Sequence, residues 1–179
     1  MSKSLEKFNV SIQDSKNLLE LFIKHGKTDP EGFEVLKRAG LIMALTAWET
    51  YVEDRLKEAV EQRTKLVKGS SLGDFVRKKL DEELKHFNTP RSDKTKKIYS
   101  DFLDIKDVTE GWKWSNYEPQ KAREQLNQWI DIRGEVVHHS KDVSANPQPH
   151  VVKKSDLEKC VTFLEGLVNA FDTYLENNL

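Results

Sequence analysis

The segment PEGFEVLKRAGLIMALTAWETYVEDRLKEAVEQRTK, residues 30–65, carries apolar side chains at helical spacing over most of its length. Asp29 is a favourable N-cap residue and Pro30 suits the first helical position, so we expect a long helix to begin here. Between Leu41 and Leu45 the segment is apolar nearly all round, which predicts a place at the centre of a helical bundle. Its predicted buried side comprises Phe33, Leu36, Ala39, Ile42, Met43, Thr46, Ala47, Thr50, Tyr51 and Leu56.

Five further stretches with helical periodicity flank this central segment. They are predicted at about 5–25, 72–87, 92–103, 118–138 and from 155 towards the end of the sequence. The third predicted helix carries Phe75, Leu80 and Leu84 on its apolar side, and Ser155-Asp-Leu-Glu158 is a capping-box pattern that would open the last helix. Residues 141–149 are predicted as a loop, and no alternating strand pattern is evident. The predicted fold class is an all-α bundle of five to six helices with a long central helix.

Composition limits the classes of function. The 179 residues suggest a single domain, 1–179, and the formal net charge of -1 means that nucleic-acid binding would need a local basic patch. The single cysteine, Cys160, excludes an intrachain disulfide and provides no metal-site spacing. The most hydrophobic run, 41–47, is too short to cross a bilayer, and no secretion signal is evident. We therefore expect a cytoplasmic protein without a membrane anchor.

The sequence RGEVVHH, residues 133–139, stands at the end of the fifth predicted helix. It places a permanent positive charge, Arg133, and a titratable imidazole, His138, near one exposed corner. An arginine can hold a phosphate through two hydrogen bonds, and a histidine can transfer protons near neutral pH. Together the two residue types can cut a phosphodiester without a metal or another cofactor.

Four segments in order resemble one known family. They are Ala47-Trp-Glu-Thr-Tyr51, Phe87-Asn-Thr-Pro90, Gly111-Trp-Lys-Trp114, and Leu126-x3-Ile130-x2-Arg133-x4-His138. The combination is similar to HEPN domains, and specifically to the prokaryotic RiboL-PSP type. The resemblance covers the second to the fifth predicted helix.

The resemblance implies an all-α bundle, usually dimeric, in which many members are metal-independent ribonucleases of toxin–antitoxin, phage-defence or RNA-processing systems. The motifs of two protomers meet in the dimer cleft. By the match, Arg133 is the motif arginine, His138 the motif histidine, and Glu49 an acidic residue on the central helix that faces the motif. Gly134 departs from the family, where this position is commonly polar, so one hydrogen-bonding group is missing. The residue after the histidine, often small, is here His139.

The motif spacing raises a geometric question. On one ideal helix, positions 133 and 138 point about 140° apart, so the two side chains do not converge. Either the helix unwinds near Gly134, or a second copy of the chain supplies the partner residue. The second route agrees with a homodimer. Because Glu49 has mostly apolar neighbours, we expect it to be partly buried and to need a cation, for which Arg133 is a natural partner.

Structural interpretations stand beside these functional ones. Arg133 and His138 can be surface residues that favour a helix C-terminus. A metal site formed by His138, His139 and His150 is disfavoured because adjacent histidines diverge on a helix. Trp112 and Trp114 can stack RNA bases, but such tryptophans more often pack a loop onto the core. The basic residues predicted to contact RNA can equally belong to solvated helix faces; they are Lys94, Lys96, Lys97, Lys121, Arg123 and His139.

Three functional interpretations follow. The first is a homodimeric HEPN endoribonuclease that cuts RNA with Arg133, His138 and Glu49 and is controlled by an antitoxin or another regulatory partner. The second is a non-catalytic HEPN domain that binds RNA, nucleotide or a partner protein, with Gly134 as a sign of lost activity. The third is a helical interaction protein with one apolar dimer strip.

Overall fold

The computed structural model describes residues 1–26, 28–139 and 152–179, with the backbone only at residues 30, 31, 138 and 139. The predicted loop 141–149 and His150 lie outside the described residues. Six α-helices follow one another: α1 (Lys3–His25), α2 (Pro30–Arg63), α3 (Ser71–Lys85), α4 (Ser92–Leu103), α5 (Pro119–His139) and α6 (Lys154–Asn178). No β-strand occurs in the described part of the chain. The predicted all-α class and long central helix are confirmed.

Short polar residues set the helix boundaries. The side chain of Asp29 accepts a hydrogen bond from the backbone N–H of Gly32 (2.9 Å), and Pro30 occupies the first position of α2, as predicted. Ser70 caps α3 in the same way through the N–H of Gly73. The α4 helix ends where Asp104 takes a left-handed conformation (φ 54°), which turns the chain towards the short 3₁₀ helix Val108–Gly111.

The hydrophobic core surrounds α2, which packs along α1 on one side and against α6 on another. Trp48 of α2, Trp112 and Phe171 of α6 are fully buried and contact one another with ring centroids 5.8–6.2 Å apart. Cys160 is buried in the same core, and burial raises the pKa of its thiol. This aromatic centre fixes α2 and α6 relative to the 3₁₀ helix.

A buried ion pair crosses the core. The Nε of Arg55 donates to the carboxylate of Asp172 (2.9 Å), and both side chains are almost completely shielded from solvent. Tyr51 and Ser2 also donate hydrogen bonds to Asp172, and Arg55 has a second, more exposed partner in Glu176. A buried charge needs such partners, so this network ties α2, α6 and the start of the described chain together.

Three details of the sequence prediction were wrong. Met43, Thr46 and Thr50 of the predicted buried side of α2 are exposed, because contacts with α1 and α6 bury a sector that overlaps the predicted one only in part. That sector comprises Leu41, Ala44, Leu45, Ala47, Trp48, Tyr51, Val52, Arg55, Leu56, Ala59 and Val60.

The other two errors lie at the edges of the bundle. Phe75 of α3 remains 59 % exposed, although Leu80 and Leu84 are buried as expected. The α6 helix begins at Lys154, before the predicted capping box. Its first turn is closed by the carboxylate of Asp156, which accepts from the N–H of Lys153 (3.0 Å).

Candidate active site

Arg133 and Glu49 form an ion pair between α5 and α2. The Nη1 of Arg133 lies 3.0 Å from Oε2 of Glu49, with side-chain exposures of 24 % and 19 %. The pair is therefore shielded from most solvent but is still open at one side. The two residues are 84 positions apart in the sequence. Their contact was predicted from the mostly apolar neighbours of Glu49, which indicated a partly buried carboxylate in need of a cation.

The second oxygen of Glu49 holds a short segment, residues 88–91, that we call the strap. Oε1 accepts a hydrogen bond from the backbone N–H of Thr89 (3.0 Å). Thr89 has a left-handed backbone (φ 59°), which is unfavourable for a β-branched residue and is sustained only by surrounding contacts. One such contact is the hydrogen bond from Nε1 of Trp48 to the carbonyl of Pro90 (3.0 Å). A further ion pair joins Arg91 to Asp131 of α5.

The α5 helix continues without interruption through Gly134 to His139. Unwinding near Gly134, one of the two routes by which Arg133 and His138 could converge, is therefore not found. A Cβ added at Gly134 would meet no atom of the described residues within 4 Å, apart from its own helix backbone and chain neighbours, so this position has open space beside it. The backbone of His138 and His139 belongs to the helix, but their side chains lie outside the described residues.

A second carboxylate lies one turn along α2 from Glu49. Burial, together with the charge of Glu49, outweighs the opposing charge of Lys57 and raises the pKa of Glu53. The raised pKa means that a second negative charge beside Glu49 is disfavoured.

The predicted RNA-binding lysines of α4 divide into two groups. Lys94 lies at the strap, where its Nζ donates to the carbonyl of Asn88 (2.8 Å). Lys96 and Lys97 instead form ion pairs with Asp107 and Asp101. The structure therefore brings Lys94 close to the residues around Glu49, whereas Lys96 and Lys97 have their charges offset locally.

The two basic residues near the start of α5 lie far from Arg133. Lys121 and Arg123 precede it by twelve and ten residues, or about 18 and 15 Å along the helix axis. The Nζ of Lys121 lies 5.2 Å from the ring centre of Tyr117, and Arg123 is paired with Glu110. The structure does not bring these residues to the Arg133 site.

The tryptophans of the 112–114 segment take separate roles. Trp112 is fully buried in the core, as favoured from the sequence. Trp114 is only partly buried and stacks on Tyr117, with ring centroids 4.7 Å apart. The strap was not predicted as a part of the site, although Phe87-Asn-Thr-Pro90 is one of the four segments that resemble the family. No group of three or more potential metal ligands occurs among the described residues.

A family model described as RiboL-PSP-HEPN matches residues 10–177. The chain belongs to the RiboL-PSP-HEPN family. The match includes Glu49, the strap and the whole of α5, and RiboL-PSP-HEPN membership indicates a nuclease or RNA-related role. No curated protein and no solved structure matches the chain significantly. In its described part, this RiboL-PSP-HEPN chain has no helix long and apolar enough to cross a membrane.

Proposed function

We propose that this single-domain RiboL-PSP-HEPN protein is a metal-independent endoribonuclease whose active site forms at the cleft of a homodimer. The observation that carries the proposal is the ion pair between Arg133 and Glu49, which joins two helices. By the resemblance, Arg133 stands at the position of the family's motif arginine. Arg133 is partly exposed and is held in place by the mostly buried carboxylate of Glu49. Its positive charge is therefore preorganised to receive an anion. Preorganised charge is the largest contribution to catalysis at many enzyme sites.

Arg133 has donors to spare for a phosphate. Glu49 accepts only one of the five guanidinium N–H groups in the described hydrogen bonds. The remaining donors can hold two oxygens of the scissile phosphate and stabilise the charge that builds on phosphorus. Glu49 is then a positioning residue, since it contacts Arg133 and not the reacting atoms.

His138 supplies the proton transfers in this proposal. One imidazole takes the proton of the ribose 2′-OH, and the 2′-oxygen bonds to phosphorus. The bond from phosphorus to the 5′-oxygen breaks, and a second, protonated imidazole gives its proton to that leaving oxygen. The products are a 2′,3′-cyclic phosphate and a free 5′-hydroxyl. No oxidant or external nucleophile is required.

Two copies of the chain are needed for this chemistry. Because α5 is unbroken, Arg133 and the Cα of His138 lie on faces about 140° apart on one helix. A second protomer related by two-fold symmetry supplies the second arginine and the second imidazole. We propose a cytoplasmic location and control by an antitoxin or another regulatory protein as parts of the same function.

One observation favours a second candidate function, a non-catalytic HEPN domain that binds RNA or a partner protein. Gly134 has open space among the described residues and provides no hydrogen-bonding side chain where family members are commonly polar. If catalysis depends on that group, Gly134→Asn should restore cleavage to an inactive wild-type protein. If the wild type is active, the same substitution has little to restore.

The test is cleavage of a mixed RNA substrate in EDTA by the wild type, Arg133→Gln and His138→Ala. His86→Ala is the matched control, because His86 is exposed at the end of α3. We expect cleavage by the wild type and the control, loss in both motif variants, and a dimer by light scattering. An inactive dimeric wild type that still binds RNA would move the conclusion to the second function. A fully active monomer would exclude the composite site.

A further inference from the structure

A cleft lined by aromatic rings separates α5 from α6. Its walls include Trp114, Tyr117, Trp129 and Phe163, and its volume is about 560 Å³, within the usual range of small-molecule sites. None of the described side chains that line it is aliphatic. The remaining lining residues are hydroxyl, amide or charged side chains and one glycine, which distinguishes this aromatic cleft from a groove for an apolar helix.

A tight turn holds two of these rings in place. The backbones of Trp114 and Tyr117 exchange both hydrogen bonds (3.1 and 2.8 Å), and Ser115 between them has a left-handed conformation. Residues paired in this way project side by side, so the two rings stack with an interplanar angle of 20°. Phe163 packs against both rings and supports them from α6. The stack is therefore rigid before any ligand arrives.

The chemistry of the aromatic cleft suits a nucleobase. Trp129 and Phe163 are buried in its wall, whereas the stacked rings of Trp114 and Tyr117 are partly exposed and offer aromatic surface to a base. Lining amide and hydroxyl side chains offer donors and acceptors to a base edge. Lys159 at the rim forms no ion pair with any residue that the structure describes, whereas Glu158 is paired with Lys154. The rim thus presents a spare positive charge to a phosphate.

The aromatic cleft lies next to the Arg133 site along one helix. Trp129 lines the cleft and precedes Arg133 by four residues, which is about 6 Å along the axis of α5 and on nearly the same side. Consecutive phosphates of an extended single strand are separated by a similar distance. A strand that places one phosphate at Arg133 can therefore bring a neighbouring base to the cleft.

We propose that the aromatic cleft binds one unpaired nucleobase of the RNA strand that Arg133 holds, and so selects single-stranded substrate. The proposal rests on the proposed function for the identity of the strand. It adds a second contact, which no paired base can make, because a base inside a duplex is already stacked on both faces.

The test fills the aromatic cleft without disturbing the core. Thr162 and Thr173 are both exposed residues of α6, and each hydroxyl donates to the carbonyl four residues earlier (3.0 and 2.8 Å). Thr162 lines the cleft and Thr173 does not. Thr162→Trp blocks the cleft, and Thr173→Trp is the matched control.

Binding is measured by fluorescence anisotropy with an uncleavable 2′-O-methyl oligonucleotide and with an abasic strand of the same length. We expect the wild type and Thr173→Trp to bind the base-bearing strand about 5- to 100-fold more tightly than the abasic one. In Thr162→Trp this preference should fall below about twofold.

The failure of this proposal is distinguishable from that of the ribonuclease. If Thr162→Trp and the control prefer the base-bearing strand over the abasic strand equally, the base site is overturned. Cleavage and its dependence on His138 would be unaffected by that result. Equal affinity of the wild type for both strands would overturn the base site as well. A base preference that depends on the open cleft, in a protein that does not cleave RNA, would support the cleft and count against catalysis.

Discussion

The ion pair between Glu49 and Arg133 offers the most direct test of the site, through a double-mutant cycle. The single variants, Glu49→Gln and Arg133→Gln, each remove one charge, and the double variant removes both. Glutamine at position 49 keeps the shape of the glutamate. The cycle isolates the energy that the two side chains share, because each single change also alters contacts with other groups such as the N–H of Thr89.

The magnitude follows from the geometry. Exposed ion pairs contribute about 0.2–1 kcal/mol, and hydrogen bonds to charged groups about 1.5–3 kcal/mol. Here the atoms are 3.0 Å apart, but water still reaches 24 % of the Arg133 side chain and 19 % of the Glu49 side chain. We therefore expect a coupling energy of about 1 kcal/mol. For a chain of this size that corresponds to about 2–4 °C in Tm.

The assay is urea unfolding of all four proteins at one protomer concentration, because the apparent stability of the proposed dimer would depend on concentration. Additive effects, with a coupling below about 0.3 kcal/mol, would refute the pairing of these two side chains. On the proposed function, Glu49→Gln should also lower cleavage by roughly tenfold or more, since a misplaced catalytic group is costly. Full activity in Glu49→Gln would refute its role in positioning Arg133.

Three further predictions concern the scaffold and its pH dependence. Asp172→Ala leaves Arg55 buried without its main counter-charge and should cost about 3–5 kcal/mol in thermal unfolding, whereas Glu176→Ala, at the exposed end of the network, should cost less than about 1 kcal/mol; equal losses would contradict the burial of the pair. Gly134→Ala should raise Tm by about 2–4 °C, because alanine is the better helix former and its Cβ has room; a lower Tm would show that the position is not open. Since burial raises the pKa of Glu53, its ionised form destabilises the fold above that pKa, and the penalty disappears as the pH falls through it. Glu53→Gln should therefore raise Tm at neutral pH and lose this gain by about pH 4, and a gain independent of pH would exclude the ionisation as its cause.

The sequence predicted the helices well because their boundaries depend on local chemistry. Asp29 and Pro30 fix the start of α2 through contacts within four residues, and those were recognisable. The buried side of α2 was less predictable, because it depends on which helices lie against it. Arg55 is the clearest case. As a charged residue it is not expected in the core, but it is fully buried because Asp172, 117 positions away in the sequence, accepts its hydrogen bond.

The candidate site likewise contains one contact that could be predicted and others that depend on the tertiary fold. The contact of Arg133 with Glu49 could be predicted, since a partly buried carboxylate needs a cation and the family resemblance supplied the partner. The strap could not, because the bond from Thr89 to Glu49 uses a backbone N–H, which every residue except proline has. The pairing of Lys96 with Asp107 likewise depends on how the chain turns after α4.

The carboxylate of Glu49 has one further consequence, since it serves two donors at once. A phosphate that shares the guanidinium of Arg133 weakens the pull of Arg133 on Glu49, and the hydrogen bond from the amide of Thr89 to Glu49 should tighten. The exchange of this single amide hydrogen with deuterium should then slow as ligand is added, although the ligand never touches Thr89. The strap amide would thus serve as a built-in sensor of whether the guanidinium is occupied, readable by nuclear magnetic resonance without any attached label.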